Sequence, residues 1–102
     1  MAKRTINWTR QALIDRIEIL DYWIKQNKST KYSVKLDLLF VSTVEFLAEY
    51  PESGRKITKS DTRVKVVKDY FIIYEFNDLE VDILIIWDTR RNPLKLKQRL
   101  KK

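Results

Sequence analysis

The chain has 102 residues, which suits one domain over residues 1–102 and is too short for two. It contains no cysteine and no histidine, which excludes disulfides, thiolate metal sites and the commonest general base. The net charge is +7, no stretch reaches the roughly 18 apolar residues of a membrane helix, and the first residues do not form a signal peptide. We therefore expect a basic cytoplasmic protein.

The positive charge is concentrated in two blocks of the chain. Residues 1–54 are nearly balanced, with eight Lys/Arg against seven Asp/Glu, and residues 69–88 carry six acidic groups and no basic one. Residues 55–68 carry six basic groups against one acidic group, and residues 89–102 carry seven basic groups alone. One interpretation is a disordered, solubilising tail. The other is a surface that binds polyanions, built if the fold brings the two blocks together.

The first predicted elements are a short strand at Thr5–Trp8 and a helix over residues 10–26. Thr9 is placed to cap the helix, because its hydroxyl can accept a hydrogen bond from an otherwise unpaired amide. Apolar residues recur at helical spacing, which indicates a wide apolar face. The leading stripe is Leu13, Ile17, Leu20 and Ile24, with Ala12, Ile19 and Trp23 beside it.

A polar break at residues 27–30 precedes a second predicted helix, which begins at Lys31 or Ser33 and ends at Glu49. Two long helices joined by so short a loop form an antiparallel hairpin. Pro51 ends the second helix, and Gly54 permits a positive φ in the turn that follows. The two stripes of this helix are Leu36, Phe40, Val44 and Leu47, and beside them Val34, Leu38, Val41 and Ala48.

After Gly54 the apolar period changes from 3.6 to 2, which indicates strands. Residues 62–68 form the first of these, with valines on one face and Arg63 and Lys65 on the other. We expect the two cations to face away from the helices.

Two more strands are predicted, at residues 70–76 and 80–87, and Asn77-Asp78 is a turn between them. Strict alternation places Val81, Ile83, Ile85 and Trp87 on one face of the last strand. The predicted fold is α+β, in the order β-α-α-β-β-β. The helical hairpin packs on one face of a small, mainly antiparallel sheet, because its apolar stripes have no other partner.

Several short features recur in a familiar order and spacing. They are Trp8-Thr9 with Ala12, Pro51 with Gly54-Arg55, Arg63 within a strand, the strand YFIIYEF at residues 70–76, and the run from Ile85 to Pro93. Over nearly its whole length the chain resembles the RelE/ParE toxin family. The resemblance implies a type II toxin with a co-encoded antitoxin as partner. Some members cut messenger RNA on the ribosome, and others bind DNA gyrase.

The nuclease function requires cations around one phosphate, a base for the 2′-hydroxyl and an acid for the leaving oxygen. Arginine suits phosphate because its guanidinium donates two parallel hydrogen bonds, so no metal or cofactor is required. By the resemblance, Arg63 is the leading catalytic candidate. Arg90 and Arg91 follow the last strand and are the other catalytic candidates.

Further cations are candidates for RNA binding: Arg55, Lys56, Lys59 and Lys65. The alternative for the first three is an ordinary solvated loop. The chain departs from the nuclease members because it has no histidine and no aromatic residue after Trp87, so the general acid and base remain unassigned. Gyrase binding through the hairpin and tail is therefore a competing function, and an inert protein that only binds its antitoxin is a third.

The basic tail at residues 94–102 contains Leu94, Leu96 and Leu100. We expect it to be loosely ordered in the free protein, with a short docking helix as the alternative. A disordered acidic segment of the antitoxin would fold onto the basic surface and cover Arg63.

Overall fold

The computed structural model describes residues 3–57 and 61–100, which form three helices and five strands. The helices α1, α2 and α3 span Arg10–Asn27, Lys31–Glu49 and Pro93–Leu100. The strands β1 to β5 span Thr5–Trp8, Arg55–Lys56, Arg63–Val67, Tyr70–Phe76 and Glu80–Asp88. The predicted α+β order is therefore confirmed, with the two-residue strand β2 and helix α3 in addition. No helix in these described ranges is long and apolar enough to span a membrane.

The five strands form one sheet in the order β1-β5-β4-β3-β2. The strand β1 runs parallel to β5, with Thr5 opposite Glu80 and Trp8 opposite Ile83, and the other neighbours are antiparallel. The connection between these two parallel strands runs through the α1–α2 hairpin and the strands β2 to β4, and the hairpin covers one face of the sheet. The sheet is mainly antiparallel, as predicted.

The helix α2 buries the stripe that the sequence indicates. Leu36, Phe40, Val44 and Leu47 are each no more than 1% exposed. They pack against the hairpin-facing side of β4, where the ring centroid of Phe40 lies 5.6 Å from that of Tyr70 in an edge-to-face arrangement. This contact fixes the hairpin over the centre of the sheet.

The helix α1 is rotated relative to the prediction. Ala12 is fully buried, and Ile19 and Trp23 pack beside it, whereas Leu13 and Ile17 of the expected leading stripe are 41% and 66% exposed. The physical reason is Asp15, which lies on the buried face because one carboxylate oxygen accepts a hydrogen bond from the backbone N–H of Ile86, at 3.1 Å. The prediction that the leading stripe enters the core is wrong for most of its length.

A bulge in β5 breaks the alternation predicted for that strand. Ile73 lies opposite Ile85, but the next residue of β4, Tyr74, lies opposite Ile83, which leaves Leu84 unpaired. The hydroxyl oxygen of Thr9 lies 2.9 and 3.1 Å from the carbonyl oxygens of Ile83 and Leu84, so its one proton is shared between the two carbonyls of the bulge. Ile83 therefore faces the hairpin while Ile85 faces the opposite side, so the expectation of one shared face is wrong.

The second face of the sheet is partly covered by α3. Leu96 and Leu100 pack against a cluster that includes Ile85 and the buried Trp87. The guanidinium of Arg99 donates to the carboxylate of Asp15 at 3.0 Å and anchors the helix. Residues 93–100 are thus a docked helix and not the loosely ordered tail we expected.

Candidate functional site

Arg63 and Lys65 lie on the hairpin side of the sheet. Arg63 is opposite Tyr74 and Lys65 is opposite Ile72, and both partners belong to the core beneath the hairpin. Directly opposite residues of an antiparallel pair point to the same face. The expectation that these cations face away from the helices is therefore wrong. The valine-bearing face is the one that α3 helps to cover, with Val64 in its cluster.

Arg63 is half-buried and bonded to the turn that follows α2. Its Nη1 donates to the carbonyl oxygens of Gly54 and Glu52, at 2.7 and 3.2 Å. The buried hydroxyl of Tyr74 donates to the carbonyl of Pro51 at 2.6 Å and accepts from the N–H of Gly54 at 2.9 Å. The turn is thus held by both side chains, and burial raises the pKa of the Tyr74 hydroxyl above its ordinary value.

Gly54 is required for space and not for a positive φ. Its φ is −79° and its ψ is 155°, which any residue adopts. A Cβ at this position would collide with the hydroxyl oxygen of Tyr74. The positive φ that the sequence suggested at this glycine is absent.

Four cations and three aromatic rings form one surface at the edge of the hairpin. Lys56 lies opposite Arg63, so the two share a face, and the Nζ of Lys65 lies 5.5 Å from the ring centroid of Phe46 on α2. The guanidinium carbons of Arg4 and Arg63 lie 5.4 and 5.6 Å from the ring centroid of Phe76. We call this surface the basic flank, and its members are Arg4, Lys56, Arg63, Lys65, Phe46, Tyr50 and Phe76.

The other predicted RNA-binding residues are not part of this surface. Arg55 lies opposite Val64 in β2 and therefore shares the other face of the sheet. Lys59 lies outside the described residues. Arg55 and Lys56 form a short edge strand and not the solvated loop that was the alternative.

Arg90 and Arg91 lie at the opposite end of the sheet from Arg63. Arg63 is level with Tyr74, whereas Asp88, which precedes the two arginines, is level with Tyr70. The ends are separated by roughly 14 Å along the strands and about 10 Å across two of them. The prediction that Arg63 shares one surface with Arg90 and Arg91 is therefore wrong, because Arg63 begins β3, whereas the two arginines follow the end of β5, which runs in the same direction as β3.

The arginines after β5 are paired locally. The guanidinium of Arg90 donates to both carboxylate oxygens of Asp88, at 2.9 and 3.0 Å, and holds the pKa of that carboxyl below its ordinary value. The guanidinium carbon of Arg91 lies 4.4 Å from the ring centroid of Trp87. The cleft beside them is also lined by the carboxylates of Asp15 and Glu18, so it has no clear excess of positive charge.

An apolar ridge runs along the outside of the hairpin. The exposed fractions of Leu13, Ile17, Val34 and Leu38 are 41%, 66%, 55% and 63%. The members lie one turn apart on each helix. A two-bond contact between Arg16 and Asp37, at 2.7 and 3.0 Å, holds the helices side by side beneath them. We call these four residues the hairpin ridge, and the sequence predicted them as core.

Sequence reasoning also missed Asp15. It is 6% exposed and accepts hydrogen bonds from Gln11, Arg99 and the backbone of Ile86. A carboxylate three residues after Ala12, inside the apolar face of a helix, is the sequence signal that points to a buried ion pair.

The chain matches a family of toxins from type II toxin–antitoxin systems. Residues 6–93 match the family model described as "ParE toxin of type II toxin-antitoxin system, parDE". Because the match covers most of the chain, the chain belongs to this family, which confirms the resemblance to RelE/ParE toxins. Membership implies an antitoxin as partner.

Among solved structures, a chain of the "Chromosomal ParDE TA system from P. aeruginosa" has a TM-score of 0.73 to this chain at 17% sequence identity. The alignment covers 86% of this chain and 98% of that chain. At this identity the likeness supports the fold alone. No curated protein matches the chain.

Proposed function

We propose that the chain arrests bacterial growth by binding DNA gyrase, and that it does not cut messenger RNA. The observation that carries this proposal is the hairpin ridge, an unpartnered row of large apolar side chains. Contiguous exposed apolar surface on a small soluble domain is characteristic of a site that binds another protein. Gyrase is the protein target among members of the family that the chain resembles.

The arrangement of cations argues against the nuclease function. In-line cleavage requires cations, a base and an acid around one phosphate. Arg63 lies at one end of the sheet and Arg90 and Arg91 at the other, and Arg90 is occupied by Asp88. The chain also has no histidine and no aromatic residue after Trp87 to transfer a proton.

Apolar side chains also favour a protein target for the ridge over a nucleic acid. Leu, Ile and Val offer no donor to a phosphate, and burying them against a partner contributes about 25 cal/mol per Å² of apolar surface. The ion pair between Arg16 and Asp37 is internal to the hairpin, so it presents no net charge at this surface. Binding of a protein at the hairpin ridge does not require the cations of the basic flank.

The test is a supercoiling assay with purified gyrase and purified toxin. The toxin should inhibit supercoiling, and the double variant Ile17→Ser and Leu38→Ser should lose at least tenfold in potency, because two anchors of the ridge are removed. The matched control is Leu79→Ser, which removes a leucine that is 76% exposed in the turn before β5. It should inhibit like the parent.

Mapping of RNA ends after induction in a bacterial host separates the alternatives. Cuts at codons of translated messages, with gyrase unaffected, would support the nuclease and contradict the proposal. Normal growth on induction would support a protein that only binds its antitoxin. Arrest that is relieved by the product of the adjacent gene would identify that product as the antitoxin.

A further inference from the structure

We propose that the chain pairs with a second copy of itself through the outer side of α2, with the two helices antiparallel. The contact places lysines near the start of one helix against glutamates near the end of the other. This interaction requires no other protein, so it does not depend on the gyrase proposal.

One row of side chains on α2 points away from the core along the whole helix. The residues of this row recur every three or four positions, which places them on one line of an α-helix. All six are exposed, whereas Leu36, Phe40 and Val44 on the opposite side are buried. We call this line the outer row, and its members are Lys31, Lys35, Leu38, Ser42, Glu45 and Glu49.

The charges of the outer row lower the stability of the isolated helix. The two lysines are four residues apart, as are the two glutamates, so each pair places like charges on neighbouring turns. The first turn of α2 carries no acidic residue and its last turn no basic one. The helix macrodipole favours the reverse, with acidic groups at the start and basic groups at the end. A second helix that runs antiparallel brings the opposite charge to each end.

Most of these charges have no ionic partner within the chain. Among residues 3–57 and 61–100, Lys31, Lys35 and Glu45 take part in no ion pair. Glu49 has one carboxylate oxygen 3.6 Å from the Nζ of Lys3, in a contact that is exposed to solvent. The outer row therefore offers charge of both signs to a partner.

The spacing of the charges selects one antiparallel register. When Lys35 is level with Glu45 of the second copy, the two-fold symmetry of a dimer creates the same contact a second time. The two contacts then lie about 15 Å apart along the helices. Lys31 comes level with Glu49 of the second copy, because both pairs of positions are centred on Phe40. One register thus places opposite charges together at every charged position of the row.

Apolar side chains lie between the charged contacts. Leu38 is 63% exposed, and Val34, one turn before it, is 55% exposed. In the same register Leu38 is level with Ser42 of the second copy, whose small side chain lets the helices approach closely. Leu38 also belongs to the hairpin ridge, so a second copy and another protein cannot occupy the ridge together. A single pair of helices is a small interface, so the dimer should dissociate on dilution.

Sedimentation equilibrium of the purified chain over a range of concentrations tests the proposal. The parent should form dimers. Lys35→Glu and Glu45→Lys should each raise the dissociation constant by about tenfold or more, because each creates two contacts between like charges. A mixture of the two variants should form dimers as tightly as the parent, since every contact between them again joins opposite charges.

The matched controls make the same changes of charge away from α2. Lys97→Glu lies on α3, and Glu18→Lys lies in the cleft beside Arg90, and both positions are exposed. Each control should form dimers like the parent and measures the effect of net charge alone. The variants of α2 should stay folded, because each reversal replaces a like-charge pair on neighbouring turns with an opposite pair. Far-ultraviolet circular dichroism checks this.

Three results would overturn the proposal. One is a parent chain that stays monomeric at every concentration. Another is a reversal in α2 that weakens the dimer no more than the control with the same net charge. The third is a mixture of the two variants that forms dimers no more tightly than either variant alone. None of these measurements involves gyrase, so the two proposals can fail independently.

Discussion

The two arginine-rich ends of the sheet use the same side chain differently. In the basic flank, Arg63 is held by backbone carbonyls, which orient the guanidinium without neutralising it. At the end of β5, Arg90 is paired with the carboxylate of Asp88. Carbonyl oxygens leave the charge available to a ligand, whereas a carboxylate cancels it. In this sheet the guanidinium charge of Arg63 therefore stays available to a ligand, whereas that of Arg90 is paired.

The ion pair that anchors α3 should have the largest effect on the free energy of unfolding. Arg99→Met leaves the buried carboxylate of Asp15 without its cation, so the free energy of unfolding should fall by about 3 kcal/mol. Arg90→Met is the control, because that exposed pair should contribute less than about 0.5 kcal/mol. Both values would be measured by urea denaturation. Equal losses would contradict the conclusion that the buried pair stabilises the fold more than the exposed pair.

The close contact between Gly54 and Tyr74 should give the next largest effect on the free energy of unfolding. Gly54→Ala places a methyl group against Tyr74 and should lower the free energy of unfolding by about 2 kcal/mol, by overpacking. Combining it with Tyr74→Phe, which removes the hydroxyl, should recover part of the loss. Additive losses in the double variant would show that the contact is not the cause.

Arg63 should have a moderate effect on stability. Arg63→Met removes two hydrogen bonds to the turn at residues 51–54 and should lower the free energy of unfolding by about 1.5 kcal/mol. Guanidinium chloride denaturation provides the value. A loss below about 0.3 kcal/mol would mean that the carbonyl bonds do not hold the turn.

The smallest predicted effect is on alkaline stability. Burial raises the pKa of Tyr74 above the ordinary value of 10.0, so the folded state keeps its proton while the unfolded state loses it. The free energy of unfolding should be constant below about pH 10 and fall as the pH rises above it. The fall should be shallower in Tyr74→Phe, and identical pH profiles would contradict the shift.

The apolar pattern of the sequence predicted where the helices and strands lie better than it predicted which residues contact one another. The 3.6-residue period located both helices of the hairpin. It also identified the buried stripe of α2, because the sheet is the apolar surface against which Phe40 and its neighbours can pack. The buried face of α1 was mispredicted because the helix buries the carboxylate of Asp15 and leaves Leu13 and Ile17 exposed. That choice depends on the backbone N–H of Ile86, which is 71 residues away.

The candidate site was predicted in part. Alternation placed Arg63 and Lys65 on one face of a strand, and the register confirms this. Alternation within one strand does not say which face the helices cover, and it does not reveal the bulge at Leu84. The separation of Arg63 from Arg90 follows from strand order and direction, which are properties of the whole sheet.

Growth after induction is the most direct comparison of the two surfaces. A host expressing the Ile17→Ser and Leu38→Ser double variant should continue to grow, whereas a host expressing Arg63→Gln at the same level should stop like one expressing the parent. Growth arrest by the double variant together with normal growth under Arg63→Gln would contradict a toxin that acts through its helical hairpin.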